Sequence, residues 1–432
     1  MPSASVFMSS ILVGKEQTKF DVIKKALSGE LTNFQAGQIL SISVRQIKRL
    51  RKAVRKEGEQ AVIHKLKGKP SNNRINPYIK QEVLLVVEEN YSDFKPGFAS
   101  EKIKERHGVR VSDETMRLWM AERGLWKVRR QKQIKYRSWR ARKESFGELI
   151  QFDGSYHHWF ENRYRDQDDN SIEVCLLASI DDATGNITKA TFSANEGVVA
   201  VFNFWKEYVL IHGKPLAIYL DSFSTYKINH KGATDNKELM TQFGRAMKNL
   251  GIELITAHSP EAKGRIERLF GTLQDRLVRE MRLEGINAPE DGNIFLEKVF
   301  IPKFNEQFGV EAKSEGNLHR PLTDTDRKDI NRIFSIQSTR VIQNDFTIQF
   351  RNKWYQLTEV QPTTIRPKET VLVEEWLDET LHFSFRGQYL AYVVLPERPT
   401  ASKKQPAILT THRLNWKPPA NHPWRKTYKV NS

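Results

Sequence analysis

A single cysteine, Cys175, stands in a chain of 432 residues, so neither a disulfide framework nor a cysteine-based zinc site can be built from it. Cys175 sits in the apolar run EVCLLASI and is expected to be a small buried core residue. Long hydrophobic runs are also missing, since no stretch approaches the ~20 apolar residues that span a bilayer. The opening MPSASVFMSSILVG is short, lacks a basic start and passes at once into KEQTKFD, so a secretory signal is not expected. No glycine-rich phosphate loop occurs, which argues against a nucleotide cofactor. Apolar residues still make up 39% of the chain, enough for packed cores. These features fit a reducing cytoplasm and no membrane partner.

Acidic residues are scarce at both ends. Residues 1–146 hold 32 Lys and Arg against 15 Asp and Glu, a net charge of +17, while 398–432 hold eight basic residues and no acidic one. The stretch 147–397 is left at −8. Basic arms neutralise phosphates and release counterions, whereas an acidic centre suits a carboxylate metal site. The asymmetry points to a polyanion partner.

The length predicts several units. Residues 1–66 read as a helix-turn-helix DNA-binding domain. Phe20, Ile23, Ala26 and Leu27 form a helical stripe that SGE interrupts, and NFQAGQIL, SIS and VRQIKRLRKAVRK follow as helix, turn and helix. Ser43 is a good N-cap for the second of these, whose apolar positions are Val44, Ile47, Leu50 and Val54. Arg45, Gln46, Lys48 and Arg49 then point outward, as in a helix that reads the major groove. Residues 67–126 read as a second helical, helix-turn-helix-like domain. Its last helix is capped by Ser112, with Val111, Thr115, Leu118 and Trp119 inward and Arg117 and Arg123 outward. The linker 127–146 opens with KVRRQKQIKYRSWRARK, which carries nine Lys or Arg with Tyr136 and Trp139 between them. Such a run would repel itself as an isolated helix. It suits phosphate contacts and base stacking, with Arg129, Arg130, Lys135, Arg137 and Arg140 as the contacts.

From 147 to 310 the texture changes to an α/β core. GELIQFDGS, EVCLLASID and ITKATFSAN read as consecutive strands, and two strand–helix pairs and a long helix follow. The order βββαβαβα is that of a ribonuclease-H-like fold. After a linker at 311–332, residues 333–397 turn to short alternating strands, expected to close as a small antiparallel SH3-like β-barrel. Residues 398–432 form a basic tail.

Three carboxylates fall where such a core would gather them. Asp153 ends the first strand (IQFDGS), Asp221 ends the fourth (IYLDS), and Glu267 lies in the first turns of the long helix (HSPEAKGRIER). Ile266, Leu269, Phe270, Leu273 and Leu277 define that helix's buried face, with Glu267 at its rim. Carboxylate oxygens are hard ligands favoured by Mg²⁺ and Mn²⁺, and three of them can hold two ions per active site across a phosphodiester displacement. Rival acids read differently: Asp181 and Asp182 as turn formers, Asp235 and Glu261 as loop residues. His157 and His158 are poor Mg²⁺ ligands, so packing or a DNA contact is expected of them. His258 is a possible contact to substrate phosphate.

GELIQFDGS, LASIDDATG, YLDSFSTYKIN and above all MTQFGRAMKNLGIELITAHSPEAKGRIERLFGTLQDRL resemble the catalytic core of insertion-sequence transposases of the DDE integrase superfamily, in the group known as ISNCY-type. The resemblance covers about 145–310, and the N-terminal helix-turn-helix region more loosely. It implies that Asp153, Asp221 and Glu267 are the metal-binding triad. It further implies a polynucleotidyl transferase that binds terminal inverted repeats and target DNA in a bacterial cytoplasm, beside the nucleoid, as a dimer or tetramer on double-stranded DNA. Two features depart from the retroviral pattern. Forty-five residues separate Asp221 from Glu267, and Gly271 stands where a basic residue is usual; Lys263, Arg265 and Arg268 are candidates to supply that charge to DNA. A hydrolysis-only nuclease and a catalytically inactive DNA-binding regulator are the alternatives.

Overall fold

The computed structural model describes residues 14–64, 67, 74–127, 141–221, 236–257 and 264–398; for 221, 236–241, 256 and 257 it describes the backbone alone. Arg129, Arg130, Lys135, Arg137, Arg140, Asp235, His258, Glu261, Lys263 and the tail beyond Arg398 lie outside the described residues. The chain divides into two compact units, residues 1–128 and 129–432.

The first unit is helical. α1 (Lys15–Ser28) stops at Gly29, φ 92°, and α2 (Asn33–Leu40) starts from a capping box of Thr32 and Gln35. Ser41 turns the chain in the left-handed region, and Ser43 and Gln46 form a second capping box at α3 (Val44–Glu57). Ile23, Ala26, Ala36, Ile47, Val54 and Val62 are buried together. Gln46, expected to face DNA, uses its side-chain oxygen to accept from Ser43 N at 3.2 Å.

α4 (Pro77–Asn90), α5 (Pro96–His107) and α6 (Asp113–Glu122) follow. α6 is rotated from its expected phase. Met116 and Met120 are fully buried while Leu118 is 53% exposed; the unbranched methionines take the face packed on α5. Arg117 forms a two-pronged pair with Glu114 at 2.8 and 2.6 Å, and Arg123 pairs with Glu88 at 2.6 Å.

The second unit carries a five-stranded mixed sheet. Its elements are β1 (Leu149–His157), β2 (Val174–Asp181), β3 (Ile187–Ser193), α7 (Val198–His212), β4 (Ala217–Asp221), α8 (Asn236–Leu250), β5 (Glu253–Ala257) and α9 (Gly264–Leu283). α10 (Pro289–Phe295) runs through a π turn at Leu296–Phe300 into α11 (Ile301–Phe308). The sheet order is β3-β2-β1-β4-β5; the first three strands are antiparallel, and β4 and β5 run parallel to β1. Both faces are covered, which is why β2 is buried at every residue. On one face Ile150, Phe152 and Leu177 pack against Phe202, Trp205, Tyr208, Phe243 and Met247. On the other, Leu176, Ala178 and Ile180 meet Ile266, Leu269, Leu273, Leu277 and the aromatic residues of α10 and α11.

The segment expected as a linker holds α12 (Asp324–Ile333), started by a Thr323–Asp326 capping box. It is tied to the core: Leu318 N donates to Phe146 O at 2.8 Å, and Arg320 and Lys214 exchange backbone bonds at 2.8 Å. Behind this strap Tyr208 Oη lies 2.8 Å from His319 Nε2, and Asn317 Oδ1 lies 2.6 Å from His319 Nδ1. With Asn317 accepting from Nδ1–H, Nε2 accepts from the tyrosine, which is the neutral ring. Burial, then the neighbouring His212, pushes the His319 pKa down to about 4. The unfolded ring binds a proton near pH 6.5, so stability present above that pH is lost as pH falls toward 4. Thermal unfolding should show this loss between pH 6.5 and 4, with a smaller loss in His319→Gln.

Beyond α12 come β6 (Ile336–Val341), β7 (Thr347–Phe350), β8 (Lys353–Leu357), β9 (Thr370–Glu375), β10 (Leu381–Phe385), β11 (Gln388–Tyr389) and β12 (Tyr392–Leu395). They form two antiparallel sheets, ordered β11-β10-β9-β6 and β12-β8-β7, around a shared core of Ile348, Tyr355, Val371, Val373 and Phe383. The expected barrel is not closed among the described residues. The chain turns between β6 and β7 through Phe346, φ 58°, and those two strands are not hydrogen-bonded neighbours.

Candidate active site

Along β1 successive side chains alternate between the two faces. Phe152 faces α7, tilted against Phe204 and edge-on to Trp205. Gln151 and Ser155 face α9: Gln151 Oε1 accepts from Ile266 N at 3.2 Å, and Gln274 Nε2 donates to Ser155 Oγ at 3.4 Å. Asp153 stands between them on the same side of the strand. The two bonds also fix direction, with α9 running alongside β1 in the same sense from a start level with Gln151.

The register of β1 with β4 pairs Leu149 with Ala217, Ile150 with Ile218 and Gln151 with Tyr219. Continued by two residues, it brings Asp153 level with the backbone of Asp221, the last residue of β4. Glu267 is exposed in the first turn of α9, at the edge of the buried stripe Ile266, Leu269, Phe270, Leu273 and Leu277. Arg265 occupies the opposite edge, about 200° around the helix. It bonds Asp182, which follows β2, so that edge lies on the β2 side. The sheet order then turns the Glu267 edge toward β1 and β4. With ideal rises from the Gln151–Ile266 level, Glu267 stands about 5 Å from Asp153 along the axis. Gly271 and Gln274 continue the Glu267 stripe at helical spacing, and a Cβ at Gly271 would meet nothing within 4 Å.

Asp153 and Glu267 bring carboxylate oxygens to this edge, the donor chemistry that fits a hard divalent ion. Among the described residues no three His, Cys, Asp or Glu side chains form a metal cluster; the side chain of Asp221 is not among them.

Two of the rival carboxylates, Asp181 and Asp182, have structural partners. Asp181 and Asp182 form the turn before Gly185, as expected, and are also fully buried. Asp181 accepts from Gly147 N at 3.0 Å and from Thr184 N and Oγ1 at 2.8 Å. Asp182 accepts from Gln151 Nε2 at 2.7 Å, Arg265 Nε at 2.8 Å and Lys143 N at 2.8 Å. Arg265, expected to touch DNA, is thus engaged by a buried carboxylate, while Arg268 lies beside a cavity of about 440 Å³ between α9 and α11. His157 stands edge-on to Trp159, with its pKa lowered by burial, and His158 bonds Ser171. Cys175 is buried, and burial, followed by the charge of Glu196, raises its thiol pKa.

The strand order and the helices on both faces define a ribonuclease-H-like α/β core. No family model matches the chain, but related proteins do. It is 35% identical over 401 residues, 93% of this chain and 85% of its relative, to y4bF of Sinorhizobium fredii, a protein assigned as a transposase. To the transposase for insertion sequence IS1202 of Streptococcus pneumoniae it is 29% identical over 452 residues, covering 95% and 94% of the two chains. Among solved structures, the HTLV-2 integrase catalytic core domain in complex with magnesium aligns with 17% identity and a TM-score of 0.28, over 41% of this chain and 98% of that one. The chain belongs to the insertion-sequence transposases of the DDE integrase type, which are polynucleotidyl transferases. Among the described residues no helix is long and apolar enough to cross a membrane.

Proposed function

We propose that Asp153, Asp221 and Glu267 are the catalytic triad of this transposase and that they hold two Mg²⁺ or Mn²⁺ ions. The observation carrying this reading is the register that sets Asp153 level with Asp221 beneath the helix edge bearing Glu267. When bound, such ions would supply Lewis-acid stabilisation of the phosphorane charge and a nucleophile of lowered pKa. The chain's own part is positioning. β1 and β4 fix two carboxylates on a rigid sheet, and α9 presents the third from above. Water attacks the phosphodiester at the element's end, the P–O3′ bond breaks and a 3′-hydroxyl is freed. That hydroxyl then attacks a target phosphodiester in line, displacing the target's own 3′-oxygen.

The first unit serves as the reader of terminal inverted repeats, with Arg45, Lys48 and Arg49 on the exposed face of α3. The two C-terminal sheets, an SH3-like module, and the basic tail contact the DNA backbone, and the protein acts as a homo-oligomer on paired ends. Arg45→Ala should cost about 1–3 kcal/mol on the specific end and little on scrambled DNA if it reads a base. Arg137→Ala should weaken both equally and flatten the salt dependence. Competition binding separates the two.

Purified protein incubated with element-end DNA, target DNA and Mg²⁺ or Mn²⁺ tests the function directly. Joined products are expected. Cut ends without joining would identify a hydrolytic nuclease, and binding without cutting an inactive regulator.

A further inference from the structure

Asp182 is completely buried, yet it lies at the end of β2 and outside the triad. Three of its partners lie far from it in sequence: Lys143 N before the sheet, Gln151 Nε2 in β1 and Arg265 Nε in α9. Gln151 completes the circuit, because its amide oxygen accepts from Ile266 N. A buried carboxylate is costly unless paired and fully hydrogen-bonded, and two of the bonds in this network hold the two residues just before Glu267. Gln151 also stands two residues before Asp153 on the same side of β1. One hydrogen-bonded unit therefore grips the strand that carries the first carboxylate and the helix start that carries the third.

We propose that Asp182, Gln151 and Arg265 are positioning residues that anchor α9 at Arg265 and Ile266 and so hold Glu267 opposite Asp153. This rests on the reading of Glu267 as a metal ligand. Arg265, Ile266 and Glu267 are consecutive residues of α9, so a grip on the first two sets the third. Gln151 satisfies the Ile266 amide, and the Arg265–Asp182 pair stops the helix from rotating about its axis. Loss of either contact leaves the sheet intact and lets Glu267 drift around the rim.

The test is Mn²⁺ binding to the full chain without DNA, followed by electron paramagnetic resonance, with thermal unfolding and end-DNA binding measured alongside. Gln151→Leu and Arg265→Gln are expected to weaken Mn²⁺ binding roughly 10- to 100-fold, while Arg265→Lys, which can still reach Asp182, keeps most of it. In a Glu267→Gln background the same substitutions should cause no further loss, because they act through Glu267. General damage to the site would weaken binding there too, and that result would overturn the proposal, as would parental affinity in both Gln151→Leu and Arg265→Gln. Should either variant fail to fold, Asp182→Asn, which keeps the side-chain shape and removes the charge that holds Arg265, is expected to show the same loss and carries the same comparison. Glu267→Gln alone separates the two ideas: unchanged Mn²⁺ affinity would remove Glu267 as a ligand and this proposal with it.

Discussion

Asp153→Asn, Asp221→Asn and Glu267→Gln are each expected to lower end cleavage and strand transfer by at least about 10³-fold, about 4 kcal/mol of barrier at 1.36 kcal/mol per tenfold. The size follows from the chemistry. A phosphodiester displacement that proceeds without a covalent protein nucleophile draws its acceleration from charge stabilisation and alignment, and each carboxylate contributes to both. The replacements keep side-chain shape and remove only the charge. Glu267 is exposed and Asp153 half-buried, so the fold should tolerate them. Affinity for end DNA should change little, since the proposed readers lie in the first unit. Single-turnover cleavage on labelled ends, with gel-shift affinity measured in parallel, gives the comparison. Cleavage retained by any one variant would take that residue out of the triad.

Much of this site is legible in the sequence because its signals are local. The apolar runs around Asp153 and Asp221 announce strands, and the stripe from Ile266 to Leu277 announces the face of α9 and places Glu267 on its rim. Capping boxes at Thr32 and Ser43 mark helix starts within four residues of sequence. What stays hidden depends on partners far along the chain. Asp181 and Asp182 look like turn formers beside Gly185, and only the arrival of Lys143 and Arg265 makes Asp182 a buried junction. The charge of Arg265 suggests DNA, yet its nearest anion is in the protein. α12 is missed because it buries only its last residue, Ile333, and so has no apolar stripe to read. α6 is misphased because Leu118 and Trp119 outweigh Met116 and Met120 as apolar signals, whereas the space against α5 suits methionine. The C-terminal strands are individually visible; which of them pair, β6 with β9 and β7 with β8, is set by contacts between strands and not by any one strand's pattern.

Mixing two inactive proteins is expected to restore cleavage: one carrying Asp153→Asn with its N-terminal unit intact, the other lacking residues 1–126 with its triad intact. An element has two ends to be joined to one target, whereas each chain offers one triad, so at least two chains must meet, most simply about a two-fold axis. Residues 1–146 carry all of the net +17, and like charges oppose association until DNA phosphates neutralise them. The protein should therefore scatter light as a monomer alone and as a larger species on paired ends. The connection between the units permits the exchange, since residues 128–140 reach at most about 45 Å when extended, about the length of one turn of duplex or slightly more. A reader bound to one end can then present it to the core of its neighbour. Neither protein alone should cut, as one lacks chemistry and the other lacks end recognition. If both are folded, both are present on end DNA and the mixture still fails, each chain cuts the end it binds, and exchange between subunits is wrong. Concerted joining by a species that scatters as a monomer would remove the multimer altogether.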